Sequence, residues 1–154
     1  EAAPQFDFGP EGRPAADVEP FSFEAARNVL GVTSVSFRQM TDGVLLDFKY
    51  SDGSTEAIRA GFDAPQPCAL AHIDPLHVFA AWGRAHWPKP ETLELRLTVP
   101  TSTSFFTITL DIVSRTLRMR TPIWFARHWR SDVTLSSRTP NHVPVTDLGK
   151  PSST

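Results

Sequence analysis

The sequence predicts an all-β fold, an antiparallel up-and-down β-barrel of about eight strands with at most one short helix near the N-terminus. From Val32 onward, apolar residues recur at every second position, which is the period of a half-buried strand. The turn sequences TDG at 41–43 and SDG at 51–53 separate such alternating runs. The chain also has 14 prolines and 8 glycines, which favours stiff connections and disfavours long helices.

The first 21 residues are predicted to form an extended arm that precedes the barrel. They contain four prolines, no steady apolar period and a predominantly acidic charge. We expect this arm to pack in part through Phe6 and Phe8. Residues 22–31, SFEAARNVLG, are the candidate helix. Such a helix would have barely two turns, and the stretch is equally compatible with the approach to a strand.

Residues 32–62 are predicted to form a three-stranded meander. The middle run, VLLDFKY, alternates cleanly between apolar and charged positions, and STEAIRAGF follows the second turn as the third strand. The apolar face of the middle run consists of Val44, Leu46, Phe48 and Tyr50.

The second half of the chain repeats the strand pattern after a break. Residues 63–76 are predicted to be a proline-broken loop, and residues 77–82 a short strand. The alternating run from Leu93 to Val99 turns at PTSTS and returns through FFTITLDIV, and LRMR, IWFARHW and DVTLS follow. We expect a barrel domain over residues 22–138, closed or nearly closed and lipocalin-like in outline, and a tail over residues 139–154.

Composition narrows the class of protein. A length of 154 residues suggests one domain, and the net charge of −2 offers no global field to attract nucleic acid or an anionic membrane. The single Cys68 excludes an internal disulfide and a thiolate metal cage, and no apolar run approaches the roughly 20 residues of a membrane span. No cofactor is expected. Because the sequence begins at Glu1, we expect a processed or excised chain, cytoplasmic or secreted.

The motifs of serine nucleophiles are absent from the sequence. No S-x-x-K, K-T-G or G-x-S-x-G occurs, and Cys68 follows a proline with no basic neighbour in sequence to lower the pKa of its thiol. The acidic residues of the strands, Asp47, Glu94 and Asp111, lie on the polar phase, which usually faces solvent. Acid–base chemistry would therefore depend on the histidines, and the candidate catalytic residues are His72, His77 and His86.

One loop carries residue types that bind metals. The stretch HIDPLH contributes His72, Asp74 and His77, with His86 nearby as a third conceivable imidazole ligand. The alternative is a loop whose histidines bond to the backbone or to solvent, and the spacing favours that alternative because it matches no specific metal fold.

Residues 115–138 are rich in arginine, with interleaved aromatic residues such as Trp124 and Trp129. Aromatic side chains beside arginines can hold single-stranded nucleic acid. The alternative is a basic outer wall that docks against the acidic arm or a partner domain, because Arg118 and Arg120 simply form the polar phase opposite Leu117 and Met119. We favour the outer wall.

The stretch AAWGRAHWPKP combines two tryptophans and a histidine before a predicted turn. We interpret Trp82, His86 and Trp87 first as a plug at the end of the barrel and second as the wall of a binding site. The full set of candidate ligand-binding residues is Trp82, His86, Trp87, Phe48, Tyr50 and Trp124.

Two stretches of the sequence resemble one known family. GRAHWPKPETLELRLTVPTSTSFFTITLDI and NVLGVTSVSFRQMTDGVLLDFKYSDGSTEAIRAGF are similar to the C-terminal β-domain of serine-β-lactamase-like hydrolases, which include D-aminopeptidases, esterases and relatives of penicillin-binding proteins. The resemblance covers roughly residues 28–138, in order. The sequence departs from the family pattern at Phe62 and Asp63, where a tryptophan is expected, and at the turn SRT, where the family has a glycine.

The resemblance implies a lipocalin-like domain that flanks the active site of a hydrolase and carries no catalytic residue itself. We therefore expect a non-catalytic binding or accessory domain whose partner is a hydrolase catalytic domain or a small hydrophobic molecule, without membrane contact and with self-association left open. The alternative is a free-standing isomerase or cyclase, and single-stranded nucleic-acid binding ranks third. The accessory-domain and enzyme hypotheses differ in the barrel interior, because the inward side chains either meet each other or line an open cavity. Six inward residues are predicted: Leu46, Phe48, Leu95, Leu97, Ile108 and Leu110.

Overall fold

The part of the chain that the structure describes folds into one sheet of ten strands and contains no helix. The structure is a computed structural model that describes residues 18–74, 77–98, 105–120 and 132–138. It confirms the all-β prediction, although the strand count exceeds the predicted eight. The strands are β1 Phe21–Glu24, β2 Val32–Met40, β3 Gly43–Tyr50, β4 Thr55–Gly61, β5 Gln66–Asp74, β6 His77–Lys89, β7 Thr92–Thr98, β8 Phe105–Asp111, β9 Thr116–Arg120 and β10 Asp132–Ser136.

The strand order makes the sheet curl into a barrel-like shape. Neighbours along the path β1-β2-β3-β4-β6-β7-β8-β9-β10 pair antiparallel except β4 and β6, which meet in parallel at Gly61 and Arg84. Strand β5 lies off this path and pairs with β6. The two end strands of the path, β1 and β10, approach each other. An isolated antiparallel bridge between Ala25 and Ser137, the residues that follow them, shows this.

The predicted meander over residues 32–62 is confirmed as β2, β3 and β4. The two turns bring Met40 opposite Gly43 and Lys49 opposite Thr55. In the second turn, Gly53 has φ +89°, a left-handed conformation that glycine adopts without steric cost. The local turn signals thus set the register of the first half of the sheet.

Of the two alternatives for residues 22–31, the candidate helix does not form, and the chain instead leads from one strand to the next. Residues 21–24 form β1, which pairs with β2 and buries Phe23. The chain then turns at Asn28, whose side-chain Oδ1 accepts hydrogen bonds from the amides of Leu30 and Val32, at 3.1 Å each. A two-turn helix is marginal by itself, so pairing with a long neighbouring strand outweighs the weak capping signals.

The loop predicted over residues 63–76 is wrong in its main part, because Gln66–Asp74 forms β5. Pro67 lies opposite Trp82, and the pairs described for β5 are all with β6. A strand that pairs along one edge tolerates proline, since the missing N–H can face away from the ladder. Strand β6 likewise runs beyond the predicted residues 77–82 as far as Lys89, with irregular pairing between His86 and Lys89.

Parts of the predicted domain organisation lie outside the described residues. These parts are residues 1–17 of the arm, the run IWFARHW including Trp124, and the tail over residues 139–154. Among the described residues, none forms a helix with the length and apolar character needed to cross a membrane.

The inward side of the sheet forms a single hydrophobic core. Each strand contributes alternate residues, as the two-residue period of a strand requires. The six side chains predicted to decide between a filled and an open interior are all fully buried members of this core: Leu46, Phe48, Leu95, Leu97, Ile108 and Leu110.

Candidate functional site

The outward side of β7, β8 and β9 carries polar side chains on all three neighbouring strands. Strand register places Glu94, Thr109 and Arg118 side by side across three strands. A parallel row consists of Arg96, Thr107 and Arg120. Residues directly opposite one another on one face of a sheet lie close enough for their side chains to interact. The two-residue alternation that places apolar side chains in the core therefore also places these polar side chains together on the outward face.

These rows line a surface depression of about 430 Å³, which we call the outer groove. It contains four hydroxyl groups, two carboxylates and two guanidinium groups. Its lining residues are Glu94, Thr107, Thr109, Asp111, Ser114, Thr116, Arg118 and Arg120. The balance of two positive and two negative side chains leaves the groove without a net charge.

Glu94 is held in place from two sides. Its Oε1 lies 2.9 Å from Nε2 of His86, which is opposite it on β6, and its Oε2 accepts a hydrogen bond of 3.1 Å from Nε of Arg96. His86 is only 5% exposed. Both oxygens of Glu94 are therefore engaged, and the carboxylate forms a fixed wall of the outer groove.

Arg118 is oriented by Asp132 of the last strand. Its Nε and Nη2 donate hydrogen bonds of 2.9 and 2.6 Å to the two carboxylate oxygens. These hydrogen bonds raise the pKa of Arg118 and lower the pKa of Asp132. Both side chains are exposed, so solvent screens the attraction, and its main effect is to fix the direction of the guanidinium group.

The turn between β8 and β9 forms one end of the groove. Oδ1 of Asp111 accepts hydrogen bonds from the amides of Val113 at 3.0 Å and Ser114 at 2.9 Å. Oγ of Ser114 donates to Oγ1 of Thr116 at 3.1 Å. Arg115 follows with φ +56°, and its guanidinium group lies over the ring of Phe21, 5.0 Å from the centroid. The turn is thereby attached to the first strand of the sheet.

A second depression, of about 390 Å³, lies over β1, β2 and β3. Its polar groups include Arg38, Asp47 and two serines, and its apolar wall includes Leu45 and Phe21. Fewer of its side chains can hydrogen-bond than in the outer groove, and no described ion pair crosses it.

The interior contains a polar pair that the sequence analysis missed. The Tyr50 hydroxyl and Oε1 of Glu56 lie 3.2 Å apart, and the two residues are 8% and 5% exposed. Burial, and secondarily the neighbouring Glu56 carboxylate, raise the pKa of Tyr50. The signal in the sequence was that Glu56 stands on the apolar phase shared by Ile58 and Ala60.

Cys68 lies close to this pair, on β5. Burial, together with a smaller effect of the Glu56 carboxylate, raises the pKa of its thiol, against the effect of a backbone hydrogen bond from Arg59. A raised pKa leaves little thiolate at neutral pH, and the thiolate is the nucleophilic form. The environment of Cys68 is therefore unlike that of a catalytic cysteine.

The described members of the predicted ligand-binding set lie in different surroundings, and Trp124 lies outside the described residues. Phe48, Tyr50 and Trp87 belong to the core, and Trp87 is fully buried. Trp82 is half-buried in the middle of β6, and His86 contacts Glu94 of the outer groove. The chain turns at residues 90–91, so all three residues of the predicted plug lie within β6 rather than at a turn.

The predicted metal ligands fall on a strand pair. Backbone register places Asp74 of β5 opposite His77 of β6, and His72 lies on β5. Where side chains are described, no three residues of the types His, Cys, Asp or Glu gather closely enough to hold a metal ion. The side chains of residues 71–79 lie outside that description, so the set His72, Asp74 and His77 stays a prediction, as do the catalytic roles of His72 and His77.

Comparison with known proteins gives no family assignment: no family model, no curated protein and no solved structure matches this chain.

Proposed function

We propose that this chain is a non-catalytic binding or accessory domain that engages its partner through its outer surface. The observation that carries this proposal is the burial of the six diagnostic side chains, from Leu46 to Leu110, in one continuous core. An enzyme or carrier that works inside a barrel needs a cavity of several hundred Å³ lined by apolar side chains and a few polar groups. Here the predicted lining residues pack together instead.

The positions of the ionisable groups support the same proposal. His86 contacts Glu94, which lines the outer groove, so its imidazole is coupled to the outward surface. Glu56 points inward, but its carboxylate is bonded to the Tyr50 hydroxyl within the core. Among the described side chains, neither arrangement provides the acid–base group facing a substrate cavity that the isomerase or cyclase alternative requires, and the side chains of His72 and His77 lie outside the description.

We propose further that the barrel-like sheet is lipocalin-like and that its partner is the catalytic domain of a serine hydrolase. This step rests on the resemblance of residues 28–138 to the accessory β-domain of such hydrolases. The packing of the six diagnostic side chains in one core favours a partner that docks from outside over a small hydrophobic molecule bound within. The Ser-x-x-Lys motif of the hydrolase would then belong to a separate domain.

A titration with the fluorescent hydrophobic probe 1-aminoanthracene tests whether the interior binds ligands. We expect no saturable fluorescence increase with the intact chain. Saturable binding that is weakened by Leu95→Phe, which adds volume to the core, and unchanged by Thr134→Val on the outer surface would place the ligand inside and overturn the proposal. Circular dichroism of both variants verifies that each retains the all-β fold.

A further inference from the structure

We infer that the outer groove binds a neutral polyhydroxylated ligand, a saccharide. This inference rests on the proposed function, because it assigns the ligand class to the outward surface through which the domain is proposed to act. The geometry of the outer groove points to this class in three respects: its charge, its mixture of donors and acceptors, and its rigidity.

The charges in the groove disfavour an ionic ligand. Two carboxylates, those of Glu94 and Asp111, lie among its lining residues and would repel a phosphate, a sulfate or an acidic peptide. The guanidinium of Arg118 is already bonded to Asp132, and Glu94 is bonded to Arg96 and lies in contact with His86. An uncharged ligand avoids desolvating a net charge on either side of the interface.

Donors and acceptors are interspersed across the groove. The hydroxyls of Ser114 and Thr116 bond to each other, while those of Thr107 and Thr109 can donate and accept. Carboxylates accept, and guanidinium groups donate in a planar fork. Vicinal hydroxyls of a sugar present the same mixture of donors and acceptors on adjacent atoms. Oδ1 of Asp111 accepts hydrogen bonds from the amides of the turn, which fixes the position of the carboxylate. Arg120 is exposed and extends the same row as Thr107.

These groups are held on strands rather than on loops, with the exception of Ser114. Side chains on one face lie about 5 Å apart across neighbouring strands and about 7 Å apart along a strand. Thr107 and Thr109 at the centre of the groove are half-buried, and the ladder on both sides limits their motion. A rigid grid of partly sheltered polar groups loses little conformational entropy when it binds.

The test is an amide chemical-shift titration of the intact, isotope-labelled chain. The probes are two neutral oligosaccharides, maltotetraose and chitotetraose, added separately to about 10 mM because isolated saccharide sites bind weakly. We expect shifts centred on β7, β8 and β9 for at least one probe, and no dependence of the affinity on salt. The double variant T107V/T109V removes two hydroxyls while it retains strand-forming, β-branched side chains.

We expect T107V/T109V to weaken binding about tenfold, which corresponds to the loss of two modest hydrogen bonds. Thr55→Val is the matched control, because Thr55 is exposed on β4, whereas the groove lies over β7, β8 and β9, and loss of its hydroxyl leaves the affinity unchanged. Equal weakening by both variants overturns the inference, as does the absence of shifts with either saccharide.

Two further outcomes separate this inference from the proposed function. Shifts of the groove amides with inorganic phosphate alone, abolished by salt, would overturn the saccharide inference and leave an outward binding surface in place. Saturable binding of 1-aminoanthracene in the core would overturn the proposed function itself.

Discussion

Arg115 combines a strained backbone conformation with a side-chain contact between the β8–β9 turn and β1. It has φ +56°, a region that costs a non-glycine residue about 1 kcal/mol or more, and it stacks on Phe21 of β1. A glycine at this position would accept the same backbone conformation without strain. The arginine thus has a strained backbone conformation and forms a contact between the β8–β9 turn and the first strand.

Substitution of Arg115 separates these two contributions. Arg115→Ala loses the stacking and keeps the strain, so we expect a loss of about 1 kcal/mol in the free energy of unfolding. Arg115→Gly loses the stacking and relieves the strain, so we expect stability near that of the parent chain. Urea denaturation measures both. A glycine variant less stable than the alanine variant would contradict the assignment of strain.

Tyr50 provides a residue-scale test of the buried polar pair. It is the only tyrosine in the chain, and its pKa is raised in the folded state by burial first and by Glu56 second. A group whose folded pKa is raised contributes stability that is complete below its unfolded pKa, about 10, and is lost as the pH rises above that value. We expect the stability of the chain to fall above about pH 10 by up to 1.4 kcal/mol per pH unit.

Tyr50→Phe should remove this alkaline loss of stability, as measured by urea denaturation at a series of pH values. Cys68→Ala is the control, because the pKa of that thiol is also raised and its titration would contribute in the same direction. If Tyr50→Phe leaves the alkaline profile of the Cys68→Ala background unchanged, the phenol is not the responsible group.

At the scale of elements, the junction of β4, β5 and β6 departs furthest from a simple meander. Strand β6 pairs with β5 along its first half and meets β4 at Arg84, whose Nη2 donates a hydrogen bond of 2.7 Å to the carbonyl of Phe62. The backbones approach so closely that a methyl group at Gly83 would overlap the carbonyl oxygen of Arg59. Glycine is therefore required by the change of pairing partner, not by a turn.

Gly83→Ala is expected to lower the free energy of unfolding by about 1–3 kcal/mol, since the backbones must separate to admit the methyl group. Gly53→Ala is the matched control, because its surroundings are open but its φ is +89°. Any loss of stability in Gly53→Ala comes from the backbone conformation alone. A larger loss of stability in Gly83→Ala therefore reports the close approach of the two backbones. Equal losses in urea denaturation would argue against a tight junction.

At the scale of the whole molecule, the first and last strands of the path are joined at one place. The amide of Ala26 donates to the carbonyl of Ser136 at 2.8 Å, and the amide of Arg138 donates to the carbonyl of Glu24 at 2.7 Å. Glu24 and Arg138 also form an ion pair, but both side chains are largely exposed. The backbone bonds therefore contribute more to the joining than the charges do.

Ala26→Pro removes one of these amide donors and should destabilise the chain by about 1–3 kcal/mol. Glu24→Gln removes the ion pair and should change stability by less than about 0.5 kcal/mol. Hydrogen exchange of β1 and β10 amides provides the local readout, with faster exchange expected in the proline variant alone. Slower or unchanged exchange in Ala26→Pro would show that the strands are held together elsewhere.

The strand period, the first meander and the six predicted inward residues follow from the sequence pattern alone. These features are local, because backbone geometry alternates side chains between two faces and the Asp-Gly turns act over a few residues. The outward positions of Glu94 and Asp111 followed from the same period. Their assembly with Arg118 and Arg120 into one groove did not, because it depends on which strands become neighbours and in which register.

The pairing of distant segments depends on the folded molecule as a whole. It selected the strand alternative for the stretch that begins at residue 22, formed β5 from most of the predicted loop, brought Glu56 against Tyr50 and joined Ala25 to Ser137. Each of these outcomes depends on a partner remote in sequence that supplies hydrogen bonds or covers apolar surface. The local conformational propensities of residues 22–31 and 63–76 are weak. Strand pairing outweighs them, because it supplies hydrogen bonds to several backbone N–H and C=O groups at once.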